Sequence, residues 1–266
     1  MPQNHILLVS ILFSTFKTSL GSGCGDCWCV TDEGEECPIE PYNYSSATDL
    51  QETLIAQVPL NQYTLNCDPY DETIDCDTYP PLPTDVTNDT VCGLNYNNDC
   101  SNYNMTTYAN QDDAIKDQAL VTHTGACGTC STTQDLAVYM KITDMTTVGK
   151  KCAVKSILNK NLGLQCYLDL GMTLPCAWIW LYDGLYDSQV CTKTCLSAVN
   201  EPYNIEPNCT LNACLQCDED LAGPIFQQYA GRTRRRSGLE STIQRPCDTI
   251  AHIDHTSCPY TSNDRV

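Results

Sequence analysis

The sequence predicts a disulfide-rich protein, mainly α-helical in its C-terminal half, with an irregular, loop-rich acidic N-terminal half and little β structure. Three observations predict it. Cysteine fills 20 of 266 positions, a density that belongs to an oxidising compartment. Charge divides the chain: residues 24–120 hold 19 Asp/Glu and one Lys, whereas residues 121–266 hold 14 Asp/Glu and 12 Lys/Arg. Apolar residues recur at helical spacing once before residue 120 and several times after it.

Residues 1–23 are expected to be a secretory signal peptide. The apolar run Ile6 to Phe16 is followed by small residues, with a cut near Gly21 or Gly23. That run falls short of the roughly 20 apolar residues a membrane span needs. No later stretch qualifies: Ala177 to Tyr186 is apolar but carries Asp183. Residues 24–120 form an acidic region rich in Cys, Tyr and Asn. One helix is expected there: Thr48 and Gln51 suit a capping box, Leu50, Leu54 and Val58 share a face, and Pro59 ends it. The remainder is expected to be loops stapled by disulfides.

Residues 121–236 are expected to form a disulfide-stapled helical domain. Ser131 and Gln134 suit a second capping box, followed by Leu136, Tyr139 and Met140 on one face. Val154, Ile157, Leu158 and Leu162 make a stripe that Gly163 should stop. Pro175 and Pro224 fit the first turns of two further helices; the first breaks at Gly184 or continues toward Cys191. Residues 237–266 form a C-terminal segment. Eight cysteines before residue 120 and ten in the helical region suggest separate disulfide sets, although connectivity cannot be deduced from spacing.

Several constellations could carry chemistry. Asn43, Asn88, Asn104 and Asn208 begin Asn-x-Ser/Thr sequons and are candidate glycosylation sites. Cys127-Gly128-Thr129-Cys130 precedes a capped helix, whose N-terminal amides would stabilise a thiolate. This tetrapeptide resembles the Cys-Gly-x-Cys centre of thioredoxin-like oxidoreductases. The resemblance implies a redox pair of Cys127 and Cys130, with His123 nearby, and covers four residues only. The same groups, with Cys214 and Cys217 as further candidates, could ligate a metal, although oxidised thiols cannot. His252 and His255 are expected to be solvated.

Asp68, Asp71, Glu72, Asp75 and Asp77 offer oxygen ligands for Ca²⁺, as does the acidic run 32–36, but neither has EF-hand spacing. Arg232-Thr233-Arg234-Arg235-Arg236 resembles the site cut by furin-like proprotein convertases, with cleavage after Arg235 or Arg236. The opposing expectation is a helix terminus docked by its arginines. No Gly-x-Ser-x-Gly and no Gly-rich phosphate loop is present. A net charge of −19 repels nucleic acid and anionic lipid.

The leading expectation is a secreted, disulfide-rich glycoprotein of structural or interaction type. It has no evident catalytic set and no cofactor other than possible Ca²⁺, and its partner is an extracellular protein or glycan. Three alternatives are carried: a thiol–disulfide oxidoreductase using Cys127 and Cys130, a precursor processed at Arg232–Arg236, and a Ca²⁺- or mineral-binding acidic matrix protein.

Overall fold

The computed structural model describes residues 29–30, 43–206 and 208–258. The expected signal peptide, with Gly21 and Gly23, and the acidic run 32–36 lie outside the described residues. What is described is disulfide-rich and mainly helical.

Residues 91–124 depart most from expectation. Strands β1 (Val58–Pro59), β2 (Val91–Tyr96), β3 (Asn102–Tyr108) and β4 (Leu120–Thr124) form one sheet in the order β1-β3-β2-β4. β2 and β3 make an antiparallel hairpin, and β4 pairs antiparallel on the other side of β2. The strands contain Asn and Gly, which disfavour sheet, so local preference points to loop. Period-two burial overrides it. Cys92, Leu94, Tyr103 and Met105 bury one face, while Val91 and Tyr108 bury the other with Ala114 and Ala119. Gly93 is required here, because a Cβ would lie 2.8 Å from the Tyr108 ring.

Helix α1 spans Thr48–Ala56 and packs on α3 (Thr133–Lys141). α1 has no side-chain cap. Gln51 instead donates to the carbonyls of Tyr44 and Ser45, so the expected capping box is not formed, and Val58 belongs to β1. α2 (Gln111–Lys116) is capped by Asn110. α3 starts one residue later than expected. Thr132 Oγ1 accepts from Asp135 N, and its hydroxyl donates to the Asp135 carboxylate. Leu136, Tyr139 and Met140 are buried as expected.

α4 (Met145–Leu158) and α5 (Lys160–Leu168) share Asn159 as C-cap and N-cap. The expected apolar stripe is not a core face: Ile157, Leu158 and Leu162 are exposed. Nor does Gly163 stop a helix. It lies inside α5 where a Cβ would overlap Ser156, so its missing side chain lets α4 and α5 close on each other. α6 (Leu174–Val190) carries Pro175 in its first turn and runs unbroken through Gly184. α7 (Thr192–Ser197), α8 (Ala213–Leu221) and α9 (Gly223–Ala230) complete the helices, with Pro224 in the first turn of α9. Tyr139, Tyr167, Ile179, Leu181 and Phe226 are among the core residues these helices bury.

Seven disulfides join described residues: Cys67–Cys76, Cys92–Cys127, Cys100–Cys258, Cys130–Cys176, Cys152–Cys166, Cys191–Cys217 and Cys195–Cys214. Cys209 and Cys247 are also disulfide-bonded, and no described cysteine is free. Cys92–Cys127 and Cys100–Cys258 cross the compositional boundary at residue 120, and β4 hydrogen-bonds to β2 across it. The disulfides therefore do not fall into the two separate sets that parity suggested.

Candidate functional site

Sheet and helices meet at residues 122–131, where several sequence-predicted residues converge. Cys127 and Cys130 do not pair with each other. The turn between them aims Cys127 at the sheet core beside Cys92, and Cys130 at the helical core beside Cys176. Both are completely buried. A dithiol centre needs its two sulfurs joined and accessible, so this correction removes the oxidoreductase alternative and the thiolate metal site built on Cys127 and Cys130. Cys214, offered as a further ligand, is bonded to Cys195, and Cys217 to Cys191.

His123 is also fully buried. Its Nδ1 lies 2.9 Å from the Thr124 carbonyl and its Nε2 2.7 Å from Ser131 Oγ. The consistent assignment has Nδ1–H donating to the carbonyl and Nε2 accepting from the hydroxyl. Ser131 Oγ then accepts from Gly128 N. This has the connectivity of a nucleophile and its base, yet Ser131 is as buried as His123. Burial and then the Arg232 charge hold the imidazole well below its ordinary pKa, so it stays neutral.

Arg232 is the largest fully buried side chain among the described residues. A bulge in β4 skips Thr122 in the pairing with β2 and turns its groups inward. All five guanidinium hydrogens are used. They go to the carbonyls of Cys130, Thr122 and Ser131 and to the hydroxyls of Thr122 and Ser237. Arg234 donates to the carbonyls of Tyr139, Ile142 and Glu240, and Arg236 to those of Gln227 and Gly231. Arg235 pairs with Glu219 at 2.8 Å. The basic run is thus a built-in clamp lying beyond α9, with Arg235–Ser237 in a 3-10 turn. His255, expected at the surface, is buried, its Nε2 meets the Ser237 carbonyl, and burial lowers its pKa to about 4. His252 is exposed.

The acidic cluster of the first region does not converge. Asp68 accepts from Tyr70 N, Asp71 accepts from Thr73, and Glu72, Asp75 and Asp77 are exposed. Among the described residues, three carboxylates gather elsewhere. Ligand oxygens of Asp183, Asp187 and Asp218 lie within 4.8 Å of one another. Asp183 and Asp187 stand one turn apart on α6, and the Cys191–Cys217 and Cys195–Cys214 disulfides hold α8, with Asp218, against that end.

These carboxylates line a cavity of about 390 Å³ walled by α4, α6, α7, α8, α9, the arginine clamp at Arg234 and Arg235, and the segment after it. Its apolar walls include Trp180, Phe226, Val154 and Tyr203. Tyr70 donates to Asp183 from behind, at 2.8 Å. Asp187 Oδ1 is buried and has no hydrogen-bond partner. Burial, then the neighbouring carboxylates, raise Asp183 to about 8 and Asp218 well above its ordinary value. Burial raises Asp187 to about 6, opposed by a hydrogen bond with the Asp218 side chain and then by Lys150. Like charges this close cannot all ionise freely, so the trio titrates as a unit that retains protons near neutrality. Lys150 faces all but Asp183 of the trio and Arg245 acts on Asp218, while Glu219 is shared by Arg235 and Arg245.

Sequence reasoning missed this trio. The available signal was a charged residue in the apolar run 177–186, repeated four positions later at Asp187.

The four sequon asparagines, Asn43, Asn88, Asn104 and Asn208, are all exposed. No helix among the described residues is long and apolar enough to cross a membrane.

Fold and site define a class: a disulfide-stapled helical protein of the extracellular, oxidising environment with an acidic cavity among its helices. A family of unknown function (DUF8771) matches residues 160–253, which hold all three carboxylates but less than half of the chain. No curated protein and no solved structure matches.

Proposed function

We propose that this is a secreted glycoprotein of interaction type that works by holding a small ligand in the helical cavity, without catalysis. The cavity carries the reading. At about 390 Å³ it is of ligand size, and apolar walls with a few convergent polar groups are how proteins hold small molecules. The two disulfides support a preformed pocket, because they fix α8 against the end of α6 before a ligand arrives. Non-catalytic function is supported by the burial of the His123–Ser131 pair. Secretion and glycosylation are supported by the oxidised cysteines and the exposed sequons.

The test is a titration of the secreted protein with the neutral apolar dye Nile red. One saturable site is expected, lost in Val154→Trp, which fills the cavity. Absence of binding, or binding indifferent to that substitution, rules out the cavity as a ligand site. Digestion with an N-glycosidase should also lower the mass of the secreted protein; an unchanged mass removes the glycoprotein reading.

A further inference from the structure

We propose that the cavity selects an organic cation, an ammonium group carried on an apolar body, with Asp187 and Asp218 receiving the charge. The proposal rests on the binding reading above and names its ligand class. Three independent observations lead to it.

The first is an imbalance of partners. Asp183 is served by Tyr70, and Glu219 is shared by Arg235 and Arg245 at 2.8 and 2.6 Å. Asp187 keeps a buried oxygen with no donor. A buried acceptor left unpaired is costly, so a donor brought by a ligand meets a group the chain leaves unmet.

The second is that the cavity already holds one ammonium. Lys150 Nζ sits over the Tyr203 ring, 5.6 Å from its centroid, and its charge faces Asp187, Asp218 and Asp144. Carboxylate on one side and aromatic face on the other is ammonium chemistry. The three gathered carboxylates keep the rest of their charge down by retaining protons, which a second ammonium would displace.

The third is volume. A bare metal ion would occupy a small part of 390 Å³ and would leave Trp180, Phe226 and Val154 without a partner. An apolar body attached to the cation fills that wall.

The test is calorimetry on the full secreted chain at pH 7.5 with three probes of one shape: 2-phenylethylammonium, 2-phenylethanol and 3-phenylpropanoate. The ammonium should bind at least about tenfold tighter than the alcohol, as expected for charged hydrogen bonds, and the carboxylate should bind worst. Asp187→Asn and Asp218→Asn should each remove that preference while Nile red binding and the disulfide map stay normal. In the wild type, ammonium affinity should rise from pH 5 to pH 8 as the trio ionises. Equal binding of the three probes, or no ammonium binding while Nile red binds normally, overturns the ligand class and leaves the cavity reading standing. Failure of Nile red overturns both. A larger thermal shift with CaCl₂ than with the ammonium, abolished by the same substitutions, overturns the proposal in favour of a metal site.

Discussion

At the junction of sheet and helices, Arg232, His123, Ser131 and Asp135 are all fully buried. The chain supplies them with partners. Arg232 spends its five donors on three carbonyls and two hydroxyls, and Asp135 accepts from Thr132, Thr173 Oγ1 and Thr173 N. In the acidic cavity the arrangement is reversed. Asp183, Asp187 and Asp218 face one another, and a buried oxygen of Asp187 has no donor. Both regions hold charge away from water. A buried polar group fully met by its own chain rigidifies the fold, whereas one left unmet points to a partner from outside. Charge and burial alone would have drawn attention to the junction; hydrogen-bond accounting moves it to the cavity.

The comparison predicts opposite responses to losing a charge. Arg232→Met should cost about 4 kcal/mol, because it strands buried acceptors and leaves Asp135 without its counter-charge. Urea unfolding measures it, and a loss below about 1 kcal/mol would mean that the junction is hydrated. Gly128→Ala should cost about 2–3 kcal/mol by overpacking, since its Cβ would lie 2.4 Å from the Tyr229 carbonyl oxygen.

Asp187→Asn in the cavity should instead stabilise the protein, by about 1 kcal/mol at pH 8 and by little at pH 5. The sign follows from linkage. Asp183 and Asp187 bind protons more tightly folded than unfolded, so their share of stability falls as pH rises from about 4 toward 8. His123 and His255 run the other way. Their lowered pKa values make stability fall as pH drops below about 6.5. Wild-type stability should therefore fall from about pH 6.5 toward pH 8, where the histidines no longer titrate and the carboxylates still do, and Asp187→Asn should shallow that fall. A wild-type profile flat from pH 5 to 8 would show that the trio is not desolvated.

The smallest effect is expected at the arginine clamp. A furin-like protease should leave the folded protein uncut and should cleave after reduction and unfolding. Rapid cleavage of the native form would show that the clamp opens, and would revive the processed precursor.

How legible was this in the sequence? Pro175 and Pro224 mark the starts of α6 and α9 because a proline without N–H costs nothing in a first turn. Leu136, Tyr139 and Met140 show the core face of α3. Ser131 misleads by one residue as a cap, since its hydroxyl is occupied by His123 and Gly128. The hairpin of β2 and β3 was hidden because cross-strand burial, not propensity, forms it. Half of the cavity was readable. Asp183 and Asp187 share a helix face four residues apart, but Asp218 reaches them only through disulfides whose connectivity spacing cannot reveal.

The Cys100–Cys258 bond has one further consequence. It closes residues 100 to 258 into a covalent ring, and a ring cut once remains one object. A single peptide-bond break anywhere between those cysteines, the arginine clamp included, adds the mass of one water and releases nothing. Liberation of a fragment would demand a second cut or a reductant. Nicked and intact molecules would travel together until the thiols are freed, so a protease acting once on this loop can change its shape without detaching any part of it.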